Sequence, residues 1–167
     1  MKQPERVLNR VLVVDDDASV REALVQTLEL ADLIPVSAGT FIAAKDYITD
    51  GFEGVILSDI RMPGRDGFHL LNYTHEVDPD LPVVLLTGEG DIPMAVDAMA
   101  KGAFGFLEKP CAPADLVQVL RRALSMRAMV LENRAMKRQL DTGDPAARLL
   151  FGTSHLAEDL RTRVRAV

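Results

Sequence analysis

The sequence predicts an α/β domain: a five-stranded parallel sheet with helices on both faces, followed by one long helix. Three observations carry this. Short aliphatic runs return five times within the first 110 residues, a helical pattern follows each, and the runs are apolar at consecutive rather than alternate positions. Strands apolar throughout are shielded on both faces, which is what crossover helices on a parallel sheet produce. The chain has 167 residues, 48% of them apolar, which is enough for one domain with a core and an extension beyond it.

The first unit is a strand over residues 11–14 and a helix over 19–31, where Val20, Leu24, Leu28 and Ala31 recur at helical spacing. The cycle repeats as a strand over 34–37 with a helix from about Thr40, and a strand over 55–58 with a helix from about Asp66. It closes with a strand over 83–86 and a helix from about Asp91, then a strand over 104–107 and a helix from Pro113. Pro113 suits a first turn, where its missing N–H costs little, and Asp115 places a negative charge there. Nothing interrupts this last helix before Asp141-Thr-Gly143, so it is expected to run about 42 Å at about 1.5 Å per residue.

Covering the sheet needs only the first half of that helix. In the second half Met126, Met129, Asn133, Met136 and Leu140 alternate three- and four-residue spacing, the a and d positions of a heptad. Asn133 is then a polar a residue, which favours one register of paired helices at some cost in stability. Two readings stand: a solvated extension with scattered methionines, or a homodimer through this linker helix. Past Gly143-Asp-Pro145, residues 149–167 place Leu156, Leu160 and Val164 at four-residue spacing, too short a piece to fold alone. The expected organisation is a domain over 1–124, a coiled-coil linker over 125–142, and over 143–167 either the start of a further domain or a packing appendage.

Charge is uneven. Residues 1–110 carry 9 Lys/Arg against 19 Asp/Glu, a net −10, and residues 111–167 carry 10 against 6, a net +4. So acidic a domain repels nucleic-acid phosphates, and direct DNA contact is expected from elsewhere. The single cysteine, Cys111, has no internal partner, no charged-then-apolar leader opens the chain, and the aliphatic runs fall far short of the roughly 20 residues of a membrane span. The expectation is a reduced, cytoplasmic protein with no membrane segment.

The polar residues are placed for chemistry. Asp15, Asp16 and Asp17 follow the first strand, Asp59 ends the third, Thr87 ends the fourth, and Lys109 lies just past the fifth. Parallel strands deliver such residues to one sheet edge, and ligands bind there where the strand order reverses. In the order 2-1-3-4-5 that point lies between the first and third strands, so Asp15, Asp16 and Asp59 are expected to converge. Clustered carboxylates repel unless a proton is retained or a cation neutralises them. Oxygen donors with no cysteine or histidine nearby suit Mg²⁺ and disfavour zinc. His69, His75 and His155 are scattered and read as surface or packing residues.

A carboxylate beside Mg²⁺, faced by a lysine and a hydroxyl, is equipped for phosphoryl transfer onto itself. The metal and Lys109 offset charge on the phosphoryl oxygens, and Thr87 donates a hydrogen bond. Asp59 is the candidate nucleophile because it is the single carboxylate ending the central strand and opening a turn with Pro63 and Gly64. Asp15 and Asp16 then hold the metal. Each aspartate alone reads better as a helix cap or a strand-end charge; four strand ends carrying the required types together favours the site.

These residues also stand in motifs. Val13-Val14-Asp15-Asp16-Asp17, Ser58-Asp59-Ile-Arg-Met-Pro-Gly64, Leu86-Thr87-Gly88 and Phe106-Leu-Glu-Lys109-Pro110 resemble, in order, the receiver domains of two-component response regulators, over about residues 7–124. The resemblance implies the flavodoxin-like sheet order 2-1-3-4-5 and a phosphoryl group passed from a histidine kinase to Asp59. It implies Mg²⁺ bound by Asp16, Asp59 and the backbone carbonyl of Arg61, with Asp15 contributing through water, and a phosphoryl group read by Lys109 and Thr87. It also implies an aromatic rotamer switch on the fifth strand coupled to Thr87, a position held here by Phe106, whose ring carries no hydroxyl. By itself Phe106 reads more often as ordinary core, and burial alone does not distinguish the two.

Thr87-Gly-Glu-Gly-Asp-Ile-Pro-Met-Ala-Val-Asp-Ala-Met99, Leu131-Glu-Asn-Arg134 and Leu150-Phe-Gly-Thr-Ser154 are similar to regulators of the nitrogen-regulation type, which activate sigma-54 RNA polymerase, and among these to the regulators of four-carbon dicarboxylate transport. In that group a receiver and a coiled-coil linker precede an AAA+ ATPase and a helix-turn-helix domain, through which polymerase and DNA are contacted. No G-x-x-x-x-G-K-[ST] loop occurs in the 167 residues, so this chain is not expected to be an ATP-hydrolysing enzyme by that route. Phosphorylation of Asp59 is expected to draw in the loop after the fourth strand, let Phe106 follow, and change helix pairing in the dimer. Two other classes are weighed against this. Asp15-Asp16-Asp17 spells the D-x-D of aspartyl phosphatases, but Pro110-Cys-Ala-Pro113 stands where those enzymes need a further acidic motif. A phosphorylation-independent interaction module would keep the fold without needing complete motifs.

Overall fold

A computed structural model of the chain describes residues 7–62, 66–88 and 91–142. Strands and helices alternate as β1 (Arg10–Val14), α1 (Ala18–Leu30), β2 (Ile34–Ala38), α2 (Phe41–Lys45), β3 (Gly54–Asp59), α3 (Gly67–Val77), β4 (Val83–Thr87), α4 (Ile92–Ala100), β5 (Gly105–Glu108) and α5 (Pro113–Thr142). All pairings are parallel and the order is β2-β1-β3-β4-β5, the doubly wound sheet expected from the sequence. Element bounds differ from the sequence expectation by one or two residues. α2 is a single short helix opened by Thr40, whose side chain accepts a hydrogen bond from the N–H of Ala43.

Successive side chains of a strand point to opposite faces, so the aliphatic runs feed two cores. Leu12, Val14, Ile56 and Leu85 pack with Phe41 and Ala44 of α2, Leu70 and Leu71 of α3, and Ala98 of α4. Val11, Val13, Val55, Leu57, Val84 and Leu86 pack on the other face with Leu28 of α1 and Leu116, Leu120, Ala123 and Leu124 of α5. The expectation that every strand is buried on both faces needs correction. It holds for the inner strands β1, β3 and β4, whereas β2 and β5 are half-exposed, Ile34 reaching 49%. They form the two sheet edges, where a helix covers less of each face and one side of the backbone has no neighbouring strand.

Helix starts are fixed locally. Asp17 accepts from the N–H groups of Ser19 and Val20, and Asp66 from that of His69. Gly67 lets α3 cross β3 closely, since a Cβ there would stand 2.8 Å from the Ile60 Cα. Gly102, with φ +104°, ends α4 against the His75 ring.

α5 continues for 30 residues without a break. The chain divides into two compact units between Val130 and Leu131, inside this helix. Near the end of the first unit lies Arg127, fully buried and bound at three points: Nε donates to Phe52 O (3.0 Å), Nη2 to Asp50 O (3.0 Å) and Nη1 to Asp78 Oδ2 (2.7 Å). A buried guanidinium is tolerated only when paired and hydrogen-bonded in this way. In the second unit Met136 and Leu140 are exposed at 55% and 44%. Residues 143–167, where a further domain or appendage is expected, and His155 with them, lie outside the described residues, as do Pro63, Gly64, Glu89 and Gly90. Among the described residues no helix is long and apolar enough to cross a membrane.

Candidate functional site

The strand register sets the site. Val14 pairs with Ser58, Asp59 with Leu86, and Thr87 with Glu108, so Asp15, Asp59, Thr87 and Lys109 reach the same sheet edge. The N–H of Lys109 donates to Thr87 O at 2.7 Å and ties the last two strand ends together. Asp15, Asp16 and Asp59 each present a carboxylate oxygen, all within 4.8 Å of one another. Asp15 is buried, Asp59 half-buried and Asp16 exposed. The convergence read from sequence is therefore present in the fold.

Lys109 is the cation of the cluster. Its Nζ lies 3.1 Å from Asp59 Oδ2 and 3.5 Å from Asp15 Oδ2. The other oxygens are engaged by the backbone: Asp15 Oδ1 accepts from the N–H of Asp17 at 2.9 Å, and Asp59 Oδ1 from that of Arg61 at 3.3 Å. Burial raises the Asp15 carboxyl above its ordinary pKa, the Asp17 N–H and Lys109 oppose this, and the Asp59 charge adds to it. Burial pulls Lys109 downward, but the hydrogen bond to and charge of Asp59, with those of Asp15, outweigh it and hold the ammonium above its usual range. Three carboxylates to one ammonium leaves local negative charge, and the cluster's donors are all hard oxygens. That set fits a small divalent cation such as Mg²⁺.

Thr87 is fully buried at its strand end, and its hydroxyl donates to Leu107 O at 3.4 Å rather than to the cluster. Phe106 is half-buried and packs against the core on the α2–α4 face. The structure thus gathers Asp15, Asp16, Asp59 and Lys109, and sets Thr87 and Phe106 on the adjoining strands.

Sequence reasoning assigned Arg61 only a backbone carbonyl, yet its side chain spans to α4. Nε donates to Asp91 Oδ2 at 2.7 Å, Nη2 to Asp91 Oδ1, and Nη2 also meets Met94 Sδ at 3.6 Å. The Arg61 hydrogen bond holds the Asp91 carboxyl below its ordinary pKa. Opposite charges just past β3 and β4, neighbours in the order 2-1-3-4-5, are the signal that could have shown this pair.

Comparison with known proteins agrees with this geometry. Residues 11–121 match the model of the response regulator receiver domain. The chain is 46% identical over 158 residues to the C4-dicarboxylate transport transcriptional regulatory protein DctD of Pseudomonas aeruginosa PAO1, covering 93% of this chain and 34% of that protein. It is 38% identical over 115 residues to the DNA-binding transcriptional regulator NtrC of Escherichia coli K12, covering 69% of this chain and 24% of that one. It spans about a third or less of the length of these relatives. The solved receiver domain of NtrX from Brucella abortus matches with a TM-score of 0.65 at 34% identity, over 69% of this chain and 98% of that one. The resemblance to dicarboxylate-transport and nitrogen-regulation regulators read from the motifs is borne out, and the chain belongs to the response regulator receiver domain family.

Proposed function

We propose that Asp59 accepts a phosphoryl group from a histidine kinase in a Mg²⁺-dependent reaction, and that this acylphosphate controls a downstream activator of sigma-54 RNA polymerase. The observation that carries the reading is Lys109 Nζ held between Asp59 Oδ2 and Asp15 Oδ2 in a cluster of three carboxylates. An Asp59 oxygen attacks phosphorus as the bond from phosphorus to the donor imidazole nitrogen breaks. The electron pair leaves with that nitrogen, which the kinase histidine retains. Lys109 follows the charge as it moves from carboxylate to phosphoryl oxygens. Asp16, Asp59 and the Arg61 carbonyl, with Asp15 through water, would hold Mg²⁺, which supplies positive charge to the transferring oxygens.

The switch begins at Thr87. Its bond to Leu107 O is long, at 3.4 Å, and a phosphoryl oxygen is the stronger acceptor. Turning the hydroxyl toward Asp59 releases the carbonyl next to Phe106 and lets β5 readjust. The proposed layout is a receiver over 1–124, a linker helix over 125–142 and the start of an ATPase over 143–167, working in the cytoplasm and contacting polymerase and DNA only through further domains. Met126, Met129, Met136 and Leu140 are 37%, 65%, 55% and 44% exposed, a heptad stripe suited to pairing with a second copy. Phosphorylation alters that pairing.

The test is intact mass together with light-scattering size, before and after acetyl phosphate and Mg²⁺, on wild type and Asp59→Asn. One phosphoryl group on wild type alone, with a change in assembly, is the expected outcome. An adduct without change in assembly breaks the linker-helix switch, and no adduct on either protein leaves an interaction module.

A further inference from the structure

Arg61 is held at two points on two elements. Its N–H donates to Asp59 Oδ1 at 3.3 Å, while its guanidinium forms a two-point ion pair with Asp91, a residue only 7% exposed. Asp91 is the N-cap residue of α4, yet its side chain makes no capping hydrogen bond. Asp17, Thr40 and Asp66 all cap their own helices. In α4 the second helical residue is Pro93, which has no N–H, so Met94 offers the first N–H that a capping side chain ordinarily takes. The Asp91 carboxylate is therefore committed to Arg61 instead of to its helix. The Arg61 side chain is 68% exposed against 10% for Asp91, so the pair adds little stability, but its two-point geometry fixes where the guanidinium lies.

We propose that Asp91 is a positioning residue that holds the Arg61 guanidinium on α4, and that a phosphoryl group on Asp59 draws Arg61 across and frees Asp91 to cap α4 through the Met94 N–H. The inference rests on the phosphorylation of Asp59 proposed above. Phosphorylation adds roughly two negative charges and three acceptor oxygens to a residue that Arg61 already touches through its backbone. A guanidinium's planar fork suits phosphate oxygens at least as well as a carboxylate. The exchange alters the start of the helix that exposes Ile92, Val96 and Met99, by a route separate from Thr87.

The full 167-residue chain serves as the test, with acetyl phosphate and Mg²⁺ as donor and cofactor. Phosphoryl uptake is followed by intact mass, and the exchange of the Met94 amide by NMR, for wild type, Asp91→Ala, Asp91→Asn and Asp66→Asn. Asp66→Asn removes a charge from the same rim, which Asp66 lines with Arg61 and Met94, while keeping a side-chain oxygen for the α3 cap. Asp91→Ala and Asp91→Asn are expected to take up phosphoryl about threefold to tenfold faster than wild type, the gain from one charge-assisted hydrogen bond in the transition state. Asp66→Asn stays within about twofold, as expected for a change in the surrounding field alone. The Met94 amide becomes protected on phosphorylation in wild type, is protected beforehand in Asp91→Asn, whose oxygen caps without pairing, and stays unprotected in Asp91→Ala. Uptake by the Asp91 variants no faster than by Asp66→Asn, or a Met94 amide indifferent to phosphorylation in wild type, overturns the proposal while leaving the receiver reading intact. No adduct on wild type overturns both.

Discussion

The two ends of the sheet each set an aspartate against a cation, and they do so in opposite ways. At the end where β3 and β4 begin, Arg127 and Asp78 are 0% and 2% exposed by side chain, and the guanidinium also donates to the carbonyls of Asp50 and Phe52. The one cation meets one carboxylate, and each guanidinium nitrogen has an acceptor. At the end where strands finish, Lys109 faces Asp59 and Asp15 with Asp16 beside them, so acids outnumber the base. The first arrangement is complete, and any change there removes something. The second has negative charge in surplus, which is what makes it receptive to a cation and to a phosphoryl group. β3 joins the two ends, six residues spanning about 20 Å, from the segment held by Arg127 to Asp59. Stability and reactivity are thus kept apart on one strand.

The largest effect expected comes from the incomplete end. Asp59→Asn should abolish phosphoryl uptake by intact mass while leaving the far-UV circular dichroism of the fold unchanged; uptake retained on the variant would move the nucleophile to another carboxylate. Arg127→Met keeps most of the side-chain volume but removes the buried cation paired with Asp78, and should cost about 3–5 kcal/mol in urea unfolding. Uptake per folded molecule should stay within about twofold of wild type, since the reacting groups are untouched. A variant with wild-type stability and slow uptake would reverse the assignment of the two ends. Lys109→Ala should slow uptake by about 10²-fold, the loss expected for one donor aimed at developing charge.

The smallest effect is a titration. Burial lowers the His75 pKa below 6.5, and the hydrogen bond to the Lys101 backbone carbonyl and the charges of Asp78 and Asp80 oppose this only in part. Because the folded pKa is depressed, His75 contributes stability that is complete above 6.5 and is lost as pH falls through the folded value. In Arg127→Met, Asp78 loses the cation that balances it, and the His75 titration followed by NMR should move upward. An unmoved titration would mean that the Asp78 charge is neutralised by something besides Arg127.

The difference between the ends is also a difference in legibility. The reactive end is written in side chains at strand ends: Asp15, Asp59, Thr87 and Lys109 follow aliphatic runs that fix their register, so both fold and cluster could be read from spacing. The balanced end is not written that way. Two of the three acceptors of Arg127 are main-chain carbonyls at residues 50 and 52, which no residue type announces, and Arg127 alone looks like one more charge on a helix. The Arg61–Asp91 pair lay between these cases, since both side chains are visible but only the fold makes them meet. The half-exposure of β2 and β5 was hidden because an aliphatic run does not say whether its strand has neighbours on both sides. The Met126 to Leu140 stripe was legible as a pattern, and its exposure agrees with an unpaired helix face, while its pairing is a matter for the light-scattering test.

The carbonyl acceptors of Arg127 have a practical consequence for building chimeras. A carbonyl is present whatever residue supplies it, so the contacts of Arg127 with positions 50 and 52 do not themselves depend on which side chains stand there. The side chains that must travel together for this contact are Arg127 and its buried partner Asp78. A graft that carries one without the other should fail to fold stably, and a graft that carries both should tolerate wide divergence in the loops around them.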